Sequence, residues 1–390
     1  MTTIKQVSLA PGDTIGILGG GQLGRMLALA AARLGLKAQV YSPDPDSPAF
    51  DVVQNATCAE YADVEALELF AADVNVVTYE FENVPAATAM VLAARRPVLP
   101  DTRVLETTQD RLAEKNFVTG LGLAATRYAE VSSAADLRAA VAAIGLPAVL
   151  KTRRFGYDGK GQVRVASHDE ARQAFEALRG VPCILEALQP LDYEISVVVA
   201  RDLRGRAVSY APSRNTHRDG ILALSVADGS VPEGIANLAR GHALSLADHL
   251  DYHGVLCVEF FVLRDGRVLA NEMAPRPHNS GHYTQDGCLV SQFEQQARIM
   301  AGLPLGETAM LRPAAMLNLL GDLWFDAQGR QREPDWVGVL DVPGTRLHLY
   351  AKSEARRGRK MGHVNILGAD AAQLRERIAR VSAVLGLPHA

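Results

Sequence analysis

Cysteine is scarce in this chain and widely scattered. Four cysteines among 390 residues, Cys58, Cys183, Cys257 and Cys288, form no CxxC pair. That spacing argues against a disulfide framework or a structural zinc site and leaves reduced, buried thiols as the expectation. Charge of one sign is not in excess either. The formal net charge is −4, which gives no electrostatic reason to expect nucleic acid as a partner. No apolar run is long enough to span a bilayer, and the opening Met-Thr-Thr-Ile-Lys-Gln-Val has no signal-peptide core. Internal repeats and low-complexity tracts are absent. What is there, 48% hydrophobic and 22% charged residues, is ordinary for a globular protein, and the length predicts two or three domains. A cytoplasmic enzyme or binding protein is the expectation.

Over the first ~100 residues strand and helix patterns alternate, which predicts a parallel, doubly wound sheet. Thr14–Leu18 reads as a buried strand. Leu23, Met26, Leu27, Ala30, Ala31 and Leu34 follow at helical spacing, and Gly35 ends that helix. Ala38–Tyr41 and Asn75–Tyr79 read as further strands, the second leading into Glu80-Phe81-Glu82-Asn83. Between the first strand and its helix, Gly19, Gly21 and Gly24 match G-x-G-x-x-G, a context for anion binding at a helix N-terminus. The match identifies no cofactor. Asp44 stands where a dinucleotide site would place its ribose-binding acid, but Pro43, Pro45 and Pro48 around it suit a turn equally well.

A second glycine loop is more informative. Ala148-Val149-Leu150 and Lys151 precede Gly156-Tyr157-Asp158-Gly159-Lys160-Gly161-Gln162, whose spacing fits neither a Walker A loop nor a dinucleotide fingerprint. Glycine amides with lysines around them can hold polyphosphate oxygens. The alternative is a mobile hairpin between strands Ala148–Leu150 and Gln162–Val165. Helices over Arg111–Phe117, beginning after Asp110, and Ser132–Ile144, stopped by Gly145-Leu146-Pro147, precede the loop. A helix near Asp169–Leu178 and a strand Cys183–Glu186 follow it. Arg111 and Lys115 share one helix face, which a solvated basic face would also explain. From Tyr193 onward strands dominate: Glu194–Ala200, a turn at Arg204-Gly205, and Ala207–Tyr210. Next come a polar loop with Arg214, Asn215, His217, Arg218 and Asp219-Gly220, and the long helix Ile235–Leu250.

The runs Cys257–Leu263 and Arg267–Glu272 flank Asp265-Gly266, which predicts a hairpin closed by a two-residue turn. In regular register Arg264 pairs with Arg267 and Glu259 falls opposite Glu272, with their Cβ atoms ~5 Å apart. Two such carboxylates repel unless one is protonated or a cation lies between them. Mg2+, held by carboxylates together with substrate phosphates, suits the pair. Two exposed glutamates, or a bulge that separates them, are the alternatives. Met273-Ala274-Pro275-Arg276-Pro277-His278-Asn279-Ser280-Gly281-His282 follows at once, and its donors suit a small anion beside a metal–phosphate site.

Lys151, the loop Gly156–Gln162, Glu259 and Asn271-Glu272 together resemble the ATP-grasp ligases. The runs Gly19–Met26, Asn215–Ile221, Ala274–His282 and Gly358–Asn365 narrow the resemblance to the N5-carboxyaminoimidazole ribonucleotide synthetase family, over residues 16–365. The fold implied is ATP-grasp, α/β and α+β. A Rossmann-like parallel-sheet domain would span 1–110, a lid subdomain 111–192, an ATP-grasp core with a metal site 193–312, and a small β-rich C-terminal domain 313–390. The resemblance also implies a reaction in purine biosynthesis. ATP, bicarbonate and 5-aminoimidazole ribonucleotide give ADP, phosphate and the N5-carboxylated ribonucleotide, through carboxyphosphate. A cytoplasmic homodimer, with neither membrane nor nucleic acid as partner, is implied as well.

Roles follow from the resemblance residue by residue. Arg111, Lys151 and the loop 156–162 would hold ATP phosphates, the loop as a lid. Glu186, Ala187, Leu188 and Gln189 would meet adenine, Glu194 the ribose, and His217 and Asn271 would lie by the nucleotide. Glu259 and Glu272 would hold Mg2+. Arg276, His278 and Asn279 would bind bicarbonate and carboxyphosphate. Gln22, Leu23, Lys352, Arg359 and Lys360 would take the ribonucleotide's phosphate, and Tyr157 and Asp158 its aminoimidazole. The basic run Lys352, Arg356, Arg357, Arg359 and Lys360 also fits a charged strand edge. Phe155 stands where some relatives carry glycine, and Arg214 where some carry histidine. Competing assignments are a formate-dependent glycinamide ribonucleotide transformylase, a dinucleotide oxidoreductase using the first loop, and a silent nucleotide-binding regulator.

Overall fold

The computed structural model describes residues 7–156 and 159–388, so the expectations placed on Tyr157 and Asp158 lie outside the described residues. Strands β1 (Thr14–Leu18), β2 (Lys37–Ser42), β3 (Asn55–Cys58) and β4 (Val76–Tyr79) form a sheet in the order β3-β2-β1-β4, every pair parallel. β4 is buried at all its residues, as a parallel strand covered on both faces must be. The helix Gln22–Arg33 buries Leu23, Met26, Leu27, Ala30 and Ala31, the face its spacing marks. Asp44 is a turn residue: its Oδ1 accepts the Asp46 N–H at 3.0 Å.

A second sheet is antiparallel. Strands β5 (Tyr128–Val131), β6 (Ala148–Thr152), β7 (Gln162–Val165) and β8 (Cys183–Ala187) lie in the order β5-β8-β6-β7. The helices Ala134–Ile144 and His168–Ala177 pack on it, and the second glycine loop joins β6 to β7.

The largest sheet is built from β9 (Leu191–Arg201), β10 (Ala207–Ser209), β11 (Ser213–Arg218), β12 (Ile221–Ala227), β13 (Gly254–Leu263), β14 (Val268–Ala274), β15 (Ala314–Leu320), β16 (Thr345–Leu349) and β17 (Lys360–Leu367). Its order is β14-β13-β9-β11-β12-β15-β17-β16, with β10 alongside β9. The C-terminal strands therefore continue the sheet that carries the hairpin.

The structure departs from three expectations. The predicted polar loop at 214–220 is strand β11 with a tight turn, paired to β9 and β12. Its polar residues conceal the strand because they bond to each other: Asn215 is buried and its amide meets Ser196 Oγ at 2.6 Å and Ser225 Oγ at 2.8 Å. Cys58 is exposed, on an outer strand, while the other three cysteines are buried free thiols.

The hairpin turn also differs. Val262 pairs with Val268 and Leu263 N–H donates to the Arg267 carbonyl at 2.9 Å. The loop is thus Arg264-Asp265-Gly266, with Gly266 at φ 84°, a three-residue type that requires a left-handed residue. This shifts the register by one residue. A bulge at Asn271 shifts it back, so that Phe260 faces Ala270 but Glu259 faces Glu272. The predicted carboxylate pair forms, through two irregularities that cancel.

Candidate active site

A cavity of about 820 Å³ opens between the first sheet's loops, the second glycine loop and the large sheet. It gathers Gln22 and Leu23, Arg111, Gly156 and Lys160, Glu272, Arg276, His278 and Asn279, and Lys352, Arg359 and Lys360. Lys151, Gln162, Glu186–Gln189, Glu194, His217, Glu259 and Asn271 do not line it. Several of these form two groups beside it, the first buried and the second partly buried.

In the first group Lys151 Nζ meets Glu186 Oε2 at 2.8 Å and Lys115 Nζ lies 3.8 Å from Oε1. Burial alone would raise the Glu186 carboxyl, but the two lysines outweigh it and hold it at about 2. Lys115 is therefore a buried partner, not a solvated charge. Ala187, Leu188 and Gln189 continue from this strand, with the Ala187 N–H on the Arg127 carbonyl at 2.9 Å.

In the second group His217 Nδ1 lies 3.1 Å from Glu194 Oε2, and ligand atoms of Glu194, His217 and Glu259 all fall within 4.8 Å of one another. Burial works against the His217 cation, yet Glu194 raises its pKa above the ordinary value. Ser196 Oγ donates to Glu259 at 3.3 Å. Burial, and then the negative charge of Glu272, push the Glu259 carboxyl up to about 8.

Arg111 links these groups to the glycine loop. Its Nη1 is 3.2 Å from Glu272 and its Nη2 donates to the Gly156 carbonyl at 3.1 Å. The glycines there are structural necessities: Gly161 has φ 71°, and a Cβ on it would stand 2.6 Å from Thr152 Oγ1. Phe155 is left-handed too, at φ 62°; it is 70% exposed and lines the cavity. Arg214 stacks over the Tyr193 ring at 4.2 Å.

The first glycine loop holds a carboxylate of the protein itself. Glu80 accepts the backbone N–H of Gly21 and, at 2.7 Å, that of Gly24. A Cβ at Gly21 would come within 2.5 Å of that carboxylate. Burial raises the Glu80 pKa despite the two amides. Gln22 and Leu23 face the cavity beside it.

Beyond β14, Arg276 Nε donates to Glu82 at 2.5 Å. His278 Nδ1 is 2.8 Å from Ser280 Oγ and 3.9 Å from Glu259. Burial, and then Arg276, hold the His278 imidazole well below its usual range, hence neutral. Both amide atoms of Asn279 are buried at the cavity wall without a partner among the described residues. On the C-terminal segment Lys352 Nζ donates to the Lys360 carbonyl at 2.7 Å and Arg359 to that of Glu354 at 2.8 Å. All five basic residues of the 352–360 run line the cavity, so a plain solvated edge does not describe them. Glu80, Glu82 and Glu114 line it as well, and none of the three was foreseen as a site residue. For Glu80 and Glu82 the sequence offered only the polar run 80–83 directly after a strand; for Glu114 it offered none.

Residues 13–109 match the ribonucleotide synthetase preATP-grasp domain, 116–293 the ATP-grasp domain and 314–377 the phosphoribosylaminoimidazole carboxylase C-terminal domain. The chain is 47% identical over 363 residues to the N5-carboxyaminoimidazole ribonucleotide synthase of Brucella melitensis, covering 93% of this chain and 98% of that one. It is 45% identical to the enzyme of the same name from Pseudomonas aeruginosa, over 95% and 99% of the two chains. The chain belongs to the N5-carboxyaminoimidazole ribonucleotide synthetases.

Solved structures of such synthetases share the fold. One, an ADP complex, superposes with a TM-score of 0.89 at 40% identity over 98% of both chains. Another, from Aspergillus clavatus with ADP and 5-aminoimidazole ribonucleotide, gives 0.86 at 29% identity over 96% and 99%. Each matched synthetase segment reaches the one cavity: the first through Gln22, Glu80 and Glu82, the second through Glu272 and Arg276, the third through Lys352 and Arg359. Arg111 and Glu114 fall between the first two.

Proposed function

We propose that this ATP-dependent ligase carboxylates 5-aminoimidazole ribonucleotide with bicarbonate, forming N5-carboxyaminoimidazole ribonucleotide, ADP and phosphate in purine biosynthesis. The observation that carries the reading is the shared cavity. The Glu272 carboxylate, the loop Arg276–Asn279 and the basic segment Lys352–Lys360 face one space. An activated carboxyl group made at the first two can be received at the third within the same cavity.

In this reading Arg111, Lys151, Lys160 and the loop amides hold the ATP phosphates, and Glu186–Gln189, Glu194 and His217 hold the nucleoside. A bicarbonate oxygen attacks the γ-phosphorus and ADP leaves. Arg276, neutral His278 and the unpartnered amide of Asn279 bind the resulting carboxyphosphate. The amine of the ribonucleotide then captures the carboxyl carbon, phosphate departs and the amine loses a proton. Gln22, Leu23, Lys352, Arg359 and Lys360 hold the ribonucleotide's phosphate. No covalent enzyme nucleophile is involved; the chain's contribution is placement and charge neutralisation.

Mg2+ fits the carboxylates present. Glu259 and Glu272 offer hard oxygen donors, and Glu259, with its carboxyl pushed up by burial and by Glu272, is a group that a cation would relieve. When bound, Mg2+ would neutralise phosphate charge. We divide the chain at 110/111, 192/193 and 312/313, and the family resemblance supports a cytoplasmic homodimer.

The test is ADP release. It should require both 5-aminoimidazole ribonucleotide and bicarbonate. Equal turnover with glycinamide ribonucleotide and formate would move the chain to another ligase activity.

A further inference from the structure

β14 lies at the edge of the large sheet and carries Glu272. Backbone groups on a covered edge need partners. At Ala270 the partner is ordinary, a 2.8 Å bond from its N–H to the Ala124 carbonyl. At Asn271 and Met273 the partners are side chains. Lys115 Nζ donates to the Asn271 carbonyl at 2.9 Å, and the Glu114 carboxylate accepts the Met273 N–H at 2.5 Å.

Glu114 and Lys115 are consecutive in the helix Arg111–Gly120 and are 3% and 2% exposed. Asp110 starts that helix by accepting the N–H groups of Leu112 and Ala113, which fixes where the next two side chains reach. They stand in for a missing neighbouring strand, and the two backbone groups they hold flank Glu272.

The bulged residue is Asn271 itself. Continued without the bulge, the register that pairs Phe260 with Ala270 would set Glu259 opposite Asn271 and turn Glu272 to the other face of the sheet. The geometry points to Glu114 and Lys115 as positioning residues, which pin the Asn271 bulge and so keep Glu272 opposite Glu259. The inference rests on the reading of that pair as ligands of a divalent cation.

The experiment is Mn2+ binding to the ADP-loaded full chain, read by the electron paramagnetic resonance of free Mn2+, with melting temperature recorded alongside. Glu114→Ala and Lys115→Met weaken Mn2+ binding by about tenfold or more, the cost typical of losing an outer support of a metal ligand. Glu114→Gln, whose amide oxygen still accepts the Met273 N–H, retains most of the affinity. Parental affinity in Lys115→Met overturns the proposal. So does a Glu114→Gln as weak as Glu114→Ala, because the carboxylate would then act by charge. If Glu114→Ala does not fold, Lys115→Met and Glu114→Gln decide: weakened binding in the first with retention in the second supports the proposal, and any other result overturns it. Unchanged Mn2+ binding in Glu272→Gln would instead remove the cation reading beneath it.

Discussion

Arg276 and Glu82 meet at 2.5 Å although 194 residues separate them in the chain. The contact ties the loop after β4 to the loop after β14. Burial by itself would raise the Glu82 carboxyl, but the guanidinium outweighs it and holds the acid at about 2. Arg276 is thereby aimed by a residue of a different sheet's loop.

Glu82→Gln keeps the shape and removes the charge. A charge-assisted hydrogen bond contributes about 1.5–3 kcal/mol, so kcat/KM for bicarbonate should fall by roughly tenfold or more while KM for ATP changes little. Steady-state kinetics with bicarbonate varied would show it. Parental kinetics would mean that Arg276 is held by its other contacts.

Glu272→Gln should lower ADP formation by about a hundred- to thousandfold, the usual cost of removing one charge-stabilising element from an active site. The circular dichroism spectrum should be unchanged, since Glu272 is at a rim rather than in a core. Turnover near the parental rate would dismiss its assignment to the cation.

Glu259 should make its own contribution to the pH dependence of stability. In the unfolded chain a glutamate loses its proton near about pH 4.3, whereas folded Glu259 keeps it to about 8. Between those values the folded state holds the extra proton, so stability falls as pH rises. Glu114, raised by burial and by Glu272, adds to the same slope. Without divalent cations the melting temperature of the parent should fall relative to that of Glu259→Gln as pH rises from about 5 to about 8, a comparison that cancels the opposite contribution of the buried, neutral His278. A difference that stays constant with pH would contradict the burial of that acid.

Lys352→Ala or Arg359→Ala should raise KM for the ribonucleotide by about tenfold or more, consistent with the strength of charged phosphate contacts, and leave KM for ATP nearly constant. Equal effects on both substrates would reject a separate phosphate subsite on this segment.

How much of this was legible in the sequence depends on the distance between partners. The helix Gln22–Arg33 and the lid strands declare themselves through spacing and glycine, because their determinants are neighbours. The Glu259–Glu272 pairing was also legible, though by a register argument that overlooked both the three-residue loop and the bulge at Asn271. β11 was missed because its polar side chains bond to one another inside the sheet, which erases the apolar alternation that marks a strand. Glu80, Glu82 and Glu114 were missed for another reason. Each acts on a partner brought near only by folding, at Gly21, Arg276 and Met273, and no local pattern records that.

The single sheet running from β14 to β17 has a mechanical consequence. Glu272 sits on one of those strands and Lys360 opens the other, so the spacing between the two ends of the chemistry is built into one continuous hydrogen-bonded ladder. The second glycine loop, with Lys151 and Glu186, rides on a separate, smaller sheet. On the roles proposed above, admission of nucleotide and departure of ADP would fall to that small sheet, and the tempo of the cycle could evolve there without altering the distance over which the carboxyl group travels.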